Sequence, residues 1–167
     1  MKQPVPGEAS QTAGRDDPAE TPATRPAGQP RPGSSIVVKP SRMLSETVLA
    51  DPRSRRTLRA LSGFMPDERM EQLCGIEAMA QVSELNAGFQ ADRVVAYAMS
   101  DTKISGNLFV AEGAAFHSRR AWYGIDFKCM LTPDHSKVAS FEFRIGDRIP
   151  KREWEKHSLP DEWEPLD

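Results

Sequence analysis

The chain has 167 residues, of which 28% are charged and 38% hydrophobic, and carries a formal net charge of −2 at pH 7. Acids and bases are interspersed without the basic footprint of a nucleic-acid binder, so no nucleic acid is expected as a partner. No window approaches the roughly 20 apolar residues of a membrane-spanning helix, and the first residues lack the apolar stretch of a secretory signal.

The chain opens on Pro4, Pro6, Pro18, Pro22, Pro26, Pro30, Pro32 and Pro40, set among Gly, Ala, Thr and Gln, and has no aromatic residue before Phe64. Such a stretch cannot bury enough apolar surface to offset backbone ordering, at roughly 1–2 kcal/mol per residue. Residues 1–40 are therefore predicted to be a disordered, proline-rich arm, followed by one domain over 41–158 and a frayed tail over 159–167. Spacers of this kind separate two things. An anchor or signal upstream of Met1 and a free tail starting at Met1 are both compatible with it.

Ser41 is a candidate cap for a short helix over Arg42–Ala50. Asp51-Pro52 restarts the chain, with a capping carboxylate and a proline whose missing N–H costs nothing at a first helical position. The next helix, Arg53–Leu61, is predicted to bury Leu58 and Leu61 and to end near Gly63. Pro66-Asp67-Glu68 opens the longest helix, its acids favouring the dipole. Met70, Leu73, Cys74, Ala78, Val82 and Leu85 recur at helical spacing as one apolar stripe, which stops at Asn86 and Gly88.

Beyond Gly88 the period changes. Val94, Val95 and Tyr97 fit a strand, with a short helix over 92–100 as the alternative. Ser105-Gly106-Asn107 reads as a turn before Leu108-Phe109-Val110, and Glu112-Gly113 as a second turn. From Trp122 to Leu131, Tyr123, Ile125, Phe127, Cys129 and Leu131 alternate with Gly124, Asp126 and Lys128. This is the pattern of a half-buried antiparallel strand. After the loop Thr132–Ser136, its partner turns Ala139, Phe141, Phe143 and Ile145 inward. A turn around Lys151–His157 is predicted to fold Trp154 back onto the domain, with Trp163 frayed. Helices followed by strands predict an α+β fold, with the long helix packed on a small antiparallel β-meander.

Cys74 on the stripe and Cys129 on the inward face of the best strand point into one interface. That allows a structural disulfide, with two separate buried thiols as the alternative. His117, His135 and His157 are scattered, so no metal site and no cofactor are expected. No nucleophile elbow, phosphate loop or dinucleotide fingerprint occurs, and no catalytic residue is nominated. One cluster stands out: Arg119, Arg120, Trp122 and Tyr123 join two guanidinium groups to two aromatics. It is a candidate interaction patch, weighed against an exposed loop whose Trp122 covers the sheet edge. Arg53, Arg55, Arg56 and Arg59 form a basic run that reads foremost as a solvated helix face.

The stretches RMLSETVLADPRSRR, DERMEQLCGIEAM, DRVVAYAMSDTKISGN and GAAFHSRRAWYGIDFKCMLTPDHSKVASFEFRIGDRIPKREW resemble a bacterial family catalogued as a domain of unknown function, number 930. The resemblance supplies no activity, cofactor or catalytic residue. It does imply that LCGIEAM and FKCMLTPDH, which carry Cys74 and Cys129, belong to the family pattern, as suits a structural pair. It also implies a cell-envelope setting, since members often carry a membrane anchor and a proline-rich spacer ahead of the domain, and here the spacer stands without the anchor.

Three functional expectations follow. The first is a non-catalytic interaction module of the bacterial cell envelope, meeting a protein partner and braced by Cys74–Cys129. The second is an enzyme working near Arg119, Arg120 and Tyr123, which requires a concave pocket there. The third is a cytoplasmic regulator using the Arg53–Arg59 helix.

Overall fold

A computed structural model describes residues 36–161. Three helices come first: α1 (Ser45–Ala50), α2 (Arg55–Ser62, preceded by a 3-10 turn at Pro52–Ser54) and α3 (Pro66–Leu85). Five strands follow, β1 (Ala91–Val95), β2 (Lys103–Ser105), β3 (Leu108–Ser118), β4 (Ala121–Leu131) and β5 (Val138–Arg148), and then 3-10 turns at Lys151–Glu153 and Glu155–His157. All strand pairs are antiparallel, in the order β1-β3-β4-β5, and β2 shares the outer edge of β3 with β1. The fold is α+β, with the long helix on a meander as the residue pattern requires.

The helix stripe and the inward sheet face make the main core. Met70, Cys74, Ala78 and Val82 of α3 are fully buried, against Phe109, Phe116, Ile125, Phe127, Cys129, Phe141 and Phe143 of the sheet. Phe127 lies against Phe109 and Phe141 with ring centroids 6.1 and 5.4 Å apart, so aromatic stacking runs across three neighbouring strands.

A second, smaller core covers part of the opposite sheet face. Successive residues of a strand point to opposite sides, so Trp122 faces away from Tyr123. It packs with Val95, Ala115, Ile149, Trp154 and Leu159. Trp154 does fold back: its Nε1 donates to the Ile149 carbonyl at 2.8 Å. Trp122 Nε1 donates to the Pro160 carbonyl at 3.0 Å, and Leu159 is buried, so both residues belong to this strap. Trp163 lies outside the described residues.

Several local expectations are corrected. The first helix starts at Ser45, not Arg42, and Ser41 does not cap it. Its first turn is held instead by a distant carboxylate: Glu77, fully buried on α3, accepts from the N–H groups of Leu44 at 2.8 Å and Ser45 at 2.9 Å. Leu58 is 51% exposed, because α2 touches the domain mainly through Leu61. Tyr97 lies beyond the end of β1 and is 58% exposed. Glu112-Gly113 is no turn: β3 runs straight through it, with a register shift between Glu112 and Ala114. A side chain at Gly113 would come within 2.8 Å of the Ser100 backbone nitrogen, so the glycine serves a β-bulge where another segment crosses closely. Ala139 is exposed and Val138 takes the buried position, owing to a second register shift at the start of β5.

Of the arm, residues 1–35 lie outside the described residues. Its end joins the sheet: Val38 exchanges two backbone hydrogen bonds with Phe143, at 2.7 and 3.0 Å.

Candidate functional site

The two cysteines meet as their inward directions allow, and the alternative of two separate buried thiols falls away. Cys74 and Cys129 form a disulfide with Cα atoms 5.9 Å apart, tying the middle of α3 to the C-terminal part of β4. Both residues are fully buried.

The four residues of the candidate patch do not assemble into one surface. Ser118 and Ala121 pair directly, so Arg119 and Arg120 alone make the β3–β4 turn, and both adopt left-handed backbone conformations (φ +47 and +67). Arg119 Nε reaches back to the Gly88 carbonyl at 3.0 Å. Tyr123 sits on the helix side of the sheet against Phe89 and Phe116. Trp122 is 1% exposed in the second core, so it offers a partner nothing directly.

Of the four, Arg120 borders a concave site. A cleft of about 940 Å³ opens where the β3–β4 turn, the end of β5 and the tryptophan strap converge. Three cationic side chains line it, Arg120, Arg148 and Lys151, together with His117. Ile149, Pro150 and Trp154 supply its apolar wall, and Asp161 a carboxylate. Lys151 Nζ lies 3.2 Å from Asp161 and 5.9 Å from the centre of the Trp154 ring, so its charge is already answered. The guanidinium groups of Arg120 and Arg148 make no side-chain hydrogen bond or ion pair with any described residue, although the Arg148 backbone pairs with Tyr123 in the sheet.

His117 also lines the cleft. Its ring stands 5.1 Å from that of Trp122, and its Nδ1 lies 2.7 Å from Asp92 Oδ1, which fixes the ring and leaves Nε2 as the other polar edge. His135, by contrast, bonds Asn107 Oδ1 at 2.8 Å in the β4–β5 loop. In that loop Asp134 accepts from the Thr132 and Ser136 hydroxyls and the Ser136 N–H, which lowers its carboxyl to about 2. Among the described residues no group of three or more His, Cys, Asp or Glu side chains is arranged to hold a metal ion. No helix among them is long and apolar enough to cross a membrane. Arg53 pairs with Asp51 at 3.0 Å, while Arg55, Arg56 and Arg59 are exposed.

The family model described as Domain of Unknown Function (DUF930) matches residues 61–159, more than half of the chain. The chain belongs to this family. No curated protein and no solved structure matches it. The DUF930 match takes in α3, all five strands, both cysteines, and the cleft as far as Trp154.

Two groups escaped the sequence reading. Glu77 and Gln81 lie on the same stripe as Cys74 and Ala78, so their helical spacing signalled burial although their polarity did not. Arg148, Lys151 and Asp161 reach the cleft only through the fold, and no spacing in the chain announces them.

Proposed function

We propose that this domain is a non-catalytic interaction module of the bacterial cell envelope, which meets its partner through the cleft end of the sheet. The observation that carries the reading is the disulfide between Cys74 and Cys129. Such bonds persist in oxidising compartments and are rare in the reducing cytosol. This one is wholly buried and spans the main core, as a structural brace does, rather than lying exposed as an exchanging bond does. The proline-rich arm supports the same reading, because a spacer gives a binding domain reach from whatever it is tethered to.

The test is the redox state of both thiols in the native host. Cells are quenched in acid, free thiols alkylated under denaturing conditions, and the intact mass read, with peptide mapping to locate any bond. The expected result is no label before reduction and two labels after it, within one chain. Two labels without reduction would overturn the envelope assignment.

An enzyme working beside Arg120 is the second reading. His117, which lines the cleft and is held by Asp92 from outside it, favours it, since a carboxylate-held imidazole is equipped for proton transfer. Arg119 and Tyr123, the other residues of that reading, are engaged elsewhere, with Gly88 and with Phe89 and Phe116. The binding reading has the better support.

A further inference from the structure

We infer that the cleft between the β3–β4 turn and the tryptophan strap is a binding site for a phosphomonoester, held between Arg120 and Arg148. The inference rests on the cleft alone and stands or falls separately from the envelope assignment.

Charge is the first argument. Lys151 is answered by Asp161, whereas the two guanidinium groups have no described partner and border one concave space. Both are exposed to solvent, so two positive charges bordering one cleft are available to a dianion. A guanidinium presents its donors as a planar fork that matches the oxygens of phosphate or carboxylate two at a time. Two forks entering from different elements suit a tetrahedral group with three free oxygens better than a planar carboxylate, which one fork satisfies.

Backbone conformation is the second argument. Arg120 holds a left-handed conformation (φ +67) in a turn where Asn or Gly would sit without strain. Its neighbour Arg119 gains a hydrogen bond to Gly88 there, and Arg120 gains none within the described domain. Residues held in such sparsely populated backbone conformations cluster at active sites and ligand clamps. The apolar wall of Ile149, Pro150 and Trp154 beside these cations suits a phosphate carried on an organic group rather than a bare ion.

The experiment is a calorimetric titration of the full oxidised chain with phenyl phosphate and with phenyl sulfate, at a pH above the second phosphate pKa of about 6. The two esters share size and apolar group and differ in charge. The expected result is saturable binding of the phosphate ester and binding about tenfold weaker for the sulfate ester, the cost of one charge-assisted contact. Arg148→Gln and Arg120→Gln should each weaken the phosphate ester about tenfold. Arg148 is exposed and has no described partner, so Arg148→Gln should leave the melting temperature unchanged. Sedimentation with phosphatidylcholine vesicles, with and without phosphatidate, separates the sources. Where phenyl phosphate binds, vesicle binding that requires phosphatidate marks a lipid headgroup and its absence marks a soluble ester, and either supports the site. Equal binding of the two phenyl esters, no binding of the phosphate ester at millimolar concentration, or unchanged binding by the Arg120→Gln/Arg148→Gln double variant would each overturn it.

Discussion

Arg119 and Arg120 form a two-residue hairpin turn in which both backbones have positive φ, a geometry that turns ordinarily build from Asn-Gly. An L-residue in this region costs roughly 1–2 kcal/mol, while glycine loses about 0.5–1 kcal/mol of that advantage through the entropy of the unfolded chain. Arg120→Gly should therefore stabilise the domain by about 0.5–1 kcal/mol, raising the melting temperature by about 2–5 °C. The same substitution removes one of the two unanswered guanidinium groups from the cleft. Stability and anion binding should thus move in opposite directions, which thermal denaturation and titration of one variant would show together. A melting temperature that falls would mean that Arg120 makes a stabilising contact, and the strain argument would then fail. This residue could be picked out from sequence as one of an Arg-Arg pair beside aromatics, but not as the one that counts. Trp122 and Tyr123 were grouped with it by adjacency, and strand alternation sends them to opposite faces.

At the scale of elements, Glu77 joins two helices, α1 and α3, through its buried carboxylate. Its carboxylate accepts from the N–H groups of Leu44, just before α1, and of Ser45, its first residue, and from Gln81 Nε2, and Gln81 also donates to the Arg42 carbonyl at 2.7 Å. Glu77→Ala would leave these buried donors unanswered, at about 1–3 kcal/mol for a lost partner. An overall loss of about 2–4 kcal/mol is expected, with a smaller loss for Glu77→Gln, which keeps one acceptor oxygen. Hydrogen exchange localises the effect: the amides of Leu44 and Ser45 should lose protection before those of α3. If both variants exchange and unfold like the parent, Glu77 is no cap. Elements whose periodicity their sequence states outright were legible, namely α3 from Pro66 and the β4–β5 hairpin. Those decided by tertiary contact were not. The glycine of Glu112-Gly113 carries the same signal in a turn and in a bulge, and only the crossing of Ser100 distinguishes them. A stripe traced by apolar residues alone passes over Glu77, and without it the first helix was given a cap and a start that belong to no contact. The cleft was hidden for a similar reason, since its lining comes from 117–120, 148–154 and 161, and only the sheet brings them together.

Across the whole molecule, the main core alone does not decide how tightly helix and sheet are joined. Cys74 and Cys129 are separated by 55 positions, and closing a loop of that length removes about 4 kcal/mol of chain entropy from the unfolded state. Domains of this size are stable by only about 5–15 kcal/mol in total, so the bond supplies a large share of what holds α3 on the sheet. Urea denaturation of the oxidised protein, the reduced protein and a Cys74→Ala/Cys129→Ala variant measures that share. Both forms without the bond should lose about 4 kcal/mol. They should also unfold with a steeper dependence on urea, because an unlinked chain exposes more surface. Agreement between the reduced protein and the double variant separates loss of the link from any void left by the alanines. A reduced protein that unfolds at the same urea concentration as the oxidised one would show that helix and sheet hold together without the bond. The domain would then be as durable in a reducing compartment as in an oxidising one, and stability would give no reason to prefer the envelope.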